Sequence, residues 1–207
     1  MIVVAVMGVV VLLGIIYGLI PVLTFTQGLL TGQKSIQRAS EAEEKSVWIT
    51  ALQMDRFFRQ KKMDQLFREY RDKVKQQRQN GQIVSDLEDI LNEDVLALYS
   101  WQGVVAQIPG TLTGLGILGT FIGLLRGLRN INFVTVEAAL SSVQSILTGI
   151  DTAFYTSIAG VILSILFNIS NNILRNTMDR EMGIFLEVFH RVVLPTTQEQ
   201  ERYRSRR

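Results

Sequence analysis

The chain contains no cysteine, which excludes disulfides, thiol nucleophiles and cysteine-ligated metals and leaves the redox compartment open. Histidine is almost as scarce. His190 stands alone, so the paired histidines of a metallohydrolase cannot be assembled, and late in a helical tail it reads as an ordinary surface or interface residue. Neither a phosphate loop nor a Gly-x-Ser-x-Gly elbow occurs, so no enzyme class is indicated and no cofactor or metal is expected. Proline occurs at only three positions, 21, 109 and 195, which leaves long stretches with nothing to interrupt a helix.

The most informative scarcity is of charge. Residues 2–25, 104–125 and 138–174 hold one formal charge between them, Asp151. The first two runs have 24 and 22 residues, and crossing a hydrocarbon core takes about 20. The third has 37, which as one helix would be about 55 Å long and extend well outside a bilayer. With 47% hydrophobic residues and a mean hydropathy of +0.22, the chain is expected to be an all-α integral membrane protein with three transmembrane helices.

What charge there is sets an orientation. Nothing basic precedes the first run, and the run is too long for a signal and lacks a small-residue cleavage site, so a retained anchor is expected. Residues 26–100 carry 12 of the 21 Lys and Arg, the tail after residue 174 carries 7, and the link between the second and third runs carries Arg126 and Arg129. The positive-inside rule then puts residues 26–100 and the C-terminus in the cytoplasm, with the N-terminus and the 126–137 link outside. The 12 basic and 12 acidic residues of 26–100 are interspersed, which argues for a solvated surface and against nucleic-acid binding.

The expected organisation follows: a first span over 1–25, kinked near Pro21 and lying at the lipid-facing periphery; a cytoplasmic helical hairpin domain over 26–100; a second span over 101–130; a third span with its outer link and cytoplasmic extension over 131–174; and a C-terminal helix and tail over 175–207. Within the cytoplasmic segment Val47, Ala51, Met54 and Phe58, then Met63, Leu66, Phe67, Tyr70 and Val74, recur at helical spacing. Two helices, or one broken near Gln60, would satisfy that pattern, and Asn80-Gly81 ends it. Ser85 with Glu88 suggests a capping box from which the second arm runs unbroken into the second span. The acids Asp86, Glu88, Asp89, Glu93 and Asp94 match no calcium-loop spacing and read as helix-start charges. Met178, Met182, Phe185, Leu186, Phe189 and Val193 mark a separate amphipathic helix ended by Pro195.

Residues 110–127 contain six glycines and three threonines in a run that is otherwise apolar but for Arg126. Each interior glycine costs a soluble helix about 1 kcal/mol relative to alanine, but in lipid small residues let backbones approach closely. Thr113, Gly116, Thr120, Gly123 and Gly127 follow steps of three and four and predict one packing seam. The third run has a matching face of Ser145, Gly149, Thr152, Ala153, Thr156, Ser157, Gly160 and Ser164. Asp151 lies on the same run, and an ionisable group inside a membrane segment is a functional candidate by default.

Two stretches carry a family resemblance. Gly-Ile-Leu-Gly-Thr-Phe-Ile-Gly at 116–123 is similar to the Gly-x-x-Gly-Thr-x-x-Gly core of the penultimate span in the MotA/TolQ/ExbB proton-channel family. Gly149, Ala153, Ser157 and Gly160 resemble that family's last-span pattern of Gly-x-x-x-Ala-x-x-x-Thr-x-x-Gly, with Ser157 standing where many members have Thr. The order of one span, a cytoplasmic domain, two spans and a tail resembles the three-span TolQ/ExbB type. The family's proline ahead of the Gly-Thr core is not at its usual offset, the nearest being Pro109. Residues 113–123 most resemble the ZorA branch from Zorya anti-phage systems, whose members continue into a long tail, so the chain is expected to be a short or truncated relative.

The resemblance implies a bacterial inner-membrane pentamer whose last two spans line a pore. That pore would hold two copies of a MotB/ExbD/TolR/ZorB-like single-span partner, which supplies the proton-carrying Asp. It implies a proton path lined by Thr120, Ser157 and Thr156, with Thr113, Gly116, Gly123, Gly149, Thr152, Ala153 and Gly160 as small pore-facing residues. If Thr120 and Ser157 share a level, Arg126 falls beside Asp151 as an outer-mouth ion pair. The function implied is a stator coupling proton flow to motion, in defence or, alternatively, as an ExbB/TolQ-like energiser of outer-membrane processes. A structural membrane scaffold without channel activity is the alternative from a different class.

Overall fold

A computed structural model describes residues 2–41, 54, 56–80, 82, 84–129, 131 and 134–193. The described residues are helices and connecting turns: α1 (Ile2–Gly14), a π turn (Ile15–Leu19), α2 (Ile20–Glu41), α3 (Lys61–Gln79), a 3-10 turn (Leu87–Asp89), α4 (Glu93–Tyr99), α5 (Gln102–Val105), α6 (Ile108–Leu128) and α7 (Val136–Val192). Three helical stretches are long and apolar enough to cross a membrane: Ile2–Arg38, Gln102–Leu128 and Val136–Val192. The chain divides into two compact units, one of residues 1–19 and 101–173, the other of residues 20–100 and 174–207.

The first unit brings α1 against α6, and α6 against the first part of α7. Its apolar centre is Met7, Val105, Ile108, Leu112 and Phe167. Gly14 and Gly18 are buried here, and a Cβ on Gly14 would stand 2.6 Å from Ile108 Cδ1 and from the Phe167 ring. The π turn has a covalent cause. Pro21 has no N–H to donate, and its ring would crowd the carbonyl four residues earlier, that of Tyr17, so the turn widens at 15–19.

The second unit is built on aromatic packing. Phe57, Phe58, Phe67, Tyr70, Phe185 and Phe189 are all buried. Phe57 stacks on Phe67 with centroids 4.5 Å apart, and Phe58 meets Phe185 at 5.2 Å. Met178, Met182, Phe185 and Phe189 form the buried stripe of α7 in this unit, continued by Val193 just past its end, at the 3.6-residue spacing that an amphipathic face requires.

Several local expectations are corrected. The break expected near Gln60 is present, with α3 beginning at Lys61 and the Gln60 side chain accepting from Met63 N at 2.9 Å, but Phe58 is not helical and lies with Phe57 in the irregular turn before it. Val47 and Ala51 fall outside the described residues. Ser85 does not cap a helix. Its N–H donates to Gln77 Oε1 at 2.9 Å, and its carbonyl accepts from the Tyr70 hydroxyl at 3.1 Å, while Asp86 caps the 3-10 turn. Nor does the chain run unbroken into the second span: Asn92 caps α4 through a 3.0 Å bond from Val95 N, and Trp101 is left-handed at φ 52°. Pro109 then opens α6, as proline favours a first turn where its missing donor costs nothing. The third span and the C-terminal helix are one element, α7, of 57 residues; nothing between 136 and 192 is a proline or a cap that could divide it.

Candidate functional site: the contact between α6 and α7

α6 presents Ile108, Leu112, Gly116, Gly119, Gly123 and Gly127 as its buried face. Opposite them on α7 stand Gly149, Ala153, Thr156 and Gly160, also buried. The approach is backbone to backbone. A Cβ on Gly160 would lie 2.7 Å from the Leu112 carbonyl oxygen and 2.8 Å from Gly116 Cα; one on Gly149 would lie 2.7 Å from the Gly123 oxygen and Gly127 Cα. At such distances the helices would have to separate, because no flexible side chain can give way.

The seam differs from the sequence expectation by one residue. Gly119, not Thr120, occupies its middle, with its Cβ position 2.6 Å from Thr156 Oγ1. Thr113 and Thr120 are half-buried and lie at its flank. Gly119 faces Thr156, Gly123 faces Ala153 and Gly127 faces Gly149. Thr120 therefore falls level with Tyr155 and Thr156, one to two residues from the level shared with Ser157 that had been supposed.

The hydroxyls are organised around one carbonyl. Thr120 Oγ1 donates to Gly116 O at 3.2 Å or to Ala153 O at 3.4 Å, and Thr156 Oγ1 donates to Ala153 O at 2.9 Å or Thr152 O at 3.1 Å. A hydroxyl has one proton and two lone pairs. With their protons turned to the backbone, both oxygens keep lone pairs as acceptors. Ser157 is half-buried, and its carbonyl lies 3.2 Å from the Gly116 Cβ position; among the described residues its hydroxyl has no hydrogen-bond partner. Thr113 Oγ1 donates to Pro109 O at 3.1 Å, and Thr152, which is exposed, to Thr148 O at 2.9 Å.

Arg126 and Asp151 are not brought together within the chain. Both are exposed, and no ion pair joins them among the described residues. The geometry explains why. Asp151 lies two residues from both Gly149 and Ala153, about 200° round the helix, so it faces away from α6.

Two polar groups escaped sequence reasoning. Gln102 is 5% exposed and neither of its side-chain amide atoms has a partner; Asn171, 7% exposed, leaves its Oδ1 unpaired. An isolated glutamine beside apolar residues gives no periodic signal, so only packing could reveal its burial. The acid cluster is dispersed among other contacts. His190 Nδ1 lies 2.6 Å from Asp86 Oδ2, Lys73 Nζ lies 3.3 Å from Asp89 Oδ2, and no group of three metal-ligating residues forms among the described residues. Tyr70, near both aspartates, has its hydroxyl pKa pushed up by burial first and by Asp86 and Asp89 second.

Outside the seam, α6 and α7 leave Phe121, Leu125, Phe154, Tyr155, Ile158, Ile162 and Ile165 exposed. Apolar surface on this scale suits lipid or further protein and not water. Three long apolar helices, two of them locked by small residues, define a multi-span helical membrane protein. A model of the MotA/TolQ/ExbB proton channel family matches residues 53–186, and the chain belongs to that family.

Among curated proteins, Zorya protein ZorA of Escherichia coli (strain Crooks) is 47% identical over 60 residues, 29% of this chain and 10% of that protein. Zorya protein ZorA of Escherichia coli O139:H28 (strain E24377A) is 44% identical over 60 residues, 29% of this chain and 8% of that protein. The matched stretch thus spans about a tenth or less of these relatives' lengths.

Proposed function

We propose that this chain is the pore-wall subunit of a proton-driven stator in the bacterial inner membrane. Five copies surround two copies of a single-span partner that carries the proton on an aspartate. The observation that carries the reading is the pair of threonine hydroxyls, Thr120 and Thr156, converging on the Ala153 carbonyl beside Ser157. Apart from Asp151, residues 138–174 and 104–125 hold no acidic or basic side chain, so a proton needs a partner's acid to cross hydrocarbon. Oxygen lone pairs along the wall stabilise it as it approaches that acid. Protonation then removes the partner's charge, changes which wall contacts are favourable and permits a step of one ring against the other.

Thr113, Gly116, Gly123, Gly149, Thr152, Ala153 and Gly160 complete the wall. The buried glycines act from behind by holding α6 and α7 close enough to present both hydroxyls together. Because Asp151 faces away from α6 in its own chain, we place its pairing with Arg126 between neighbouring subunits at the outer mouth. The N-terminus lies outside and residues 26–100, as a helical hairpin domain, in the cytoplasm. Similarity to the ZorA proteins favours anti-phage defence over the energising of outer-membrane processes.

The test is proton flux into liposomes holding the chain with and without its single-span partner. Flux should need the partner and should fall in Thr120→Ala and in Ser157→Ala. Undiminished flux in both variants would remove the hydroxyl wall from the mechanism, and absence of flux in every combination would leave the scaffold reading.

A further inference from the structure

The second unit contains a cleft of about 720 Å³ bordered by Arg56, Arg59, Lys61, Asp64 and Arg68. The four cations are exposed, and none has an ion-pair or hydrogen-bond partner among the described residues. Among the described residues that border it, the one acid does not neutralise them evenly, because Asp64 is 6% exposed and its Oδ1 accepts from Phe58 N at 2.8 Å. Arg59 has φ 54°, a left-handed conformation that ordinarily favours glycine. An arginine is thus kept, at a conformational cost, where it adds to the charge of the cleft.

The level of the cleft along α2 points to its ligand. The loop that forms it packs beside α2 between Gly28 and Ser35: the Gly28 Cβ position meets Met63 and Gln60, that of Gly32 meets Phe58, and Ser35 Oγ donates to Phe57 O at 3.3 Å. The apolar run ends at Phe25. At 1.5 Å per residue the loop therefore lies about 5–15 Å beyond the hydrocarbon edge. Headgroups occupy roughly the first 5–8 Å of that zone, and long basic side chains cover the remainder.

We propose that Arg56, Arg59, Lys61 and Arg68 bind the phosphate of an anionic phospholipid headgroup in the leaflet from which α2 emerges. A free phosphate would suit the same cations chemically; the level of the cleft favours the lipid. Arginine contributes planar forks that grip phosphate oxygens in pairs, and lysine adds a point charge. The four residues span thirteen positions of sequence, so the fold, and not a basic run, makes the cluster. The inference rests on the membrane reading of α1 and α2 and is independent of proton conduction.

Native mass spectrometry of the full chain in detergent, titrated with phosphatidylglycerol or phosphatidylcholine, tests it. Phosphatidylglycerol should bind and phosphatidylcholine should not. Arg59→Gln and Arg68→Gln should each weaken binding about fivefold, as expected for one charge near an anionic headgroup. Lys75→Gln, a charge removed elsewhere on α3, should leave binding unchanged, and Arg68→Lys should weaken it less than Arg68→Gln, because the charge is retained while the paired grip is lost. Equal binding of the two lipids, or undiminished binding by the Arg59→Gln/Arg68→Gln double variant, overturns the proposal. Displacement of the lipid by millimolar inorganic phosphate overturns it too, and assigns the cleft to a soluble ligand.

Discussion

Thr120 and Thr156, on different helices, aim their hydroxyls at a single acceptor: Oγ1 of the first is 3.4 Å and Oγ1 of the second 2.9 Å from the Ala153 carbonyl. Thr156 is the more buried, at 5% exposure, and it fills the space left by Gly119. Removing its hydroxyl should therefore act on both packing and conduction. Thr156→Ala is expected to lower partner-dependent proton flux about tenfold or more, the scale of a hydrogen bond to a charged group, while Thr156→Ser keeps most of it. Flux assays on the two variants decide the point, and equal losses would show that the methyl group matters and not the oxygen.

The glycine seam makes a stability prediction with an internal control. Gly149→Ala and Gly160→Ala push a methyl into opposing backbone, and overpacking of this kind costs about 1–3 kcal/mol. Gly114→Ala has nothing within 4 Å of the new atom and should be tolerated. Thermal unfolding in detergent should separate the first two from the third.

The proposed stator places Asp151 at the outer mouth and not in proton carriage. Asp151→Asn should assemble normally and lower flux by less than about tenfold, since only an exposed pair is lost. Complete loss of flux with intact assembly would make Asp151 a carrier.

Tyr70 sets a limit on alkaline stability. Its folded pKa is raised above the ordinary 10.0, chiefly by burial, so the folded state holds the phenol proton more tightly than the unfolded chain. The resulting stabilisation is fully present below about pH 10 and declines as pH rises beyond it. Tyr70→Phe should flatten that decline, at the expense of the bond to Ser85 O at neutral pH. Unfolding followed from pH 8 to 12 in both proteins gives the comparison.

The class of protein was legible before any coordinates, because hydrocarbon imposes a local rule: a span must be apolar over about 20 residues, and three runs obey it. The buried stripe from Met178 to Val193 and the small residues at 149, 153, 156 and 160 were also legible, since periodicity reports which residues share a helix face. Periodicity is silent on what lies opposite.

Only the tertiary structure placed Gly119 against Thr156, turned Asp151 away from Arg126, buried Gly14 against Ile108 and Phe167, and gathered Arg56, Arg59, Lys61 and Arg68 around one cleft. Each of these depends on how two elements distant in sequence settle against each other. A shift of one residue rotates a helix face by about 100°, which is enough to exchange Thr120 for Gly119 at the centre of the seam.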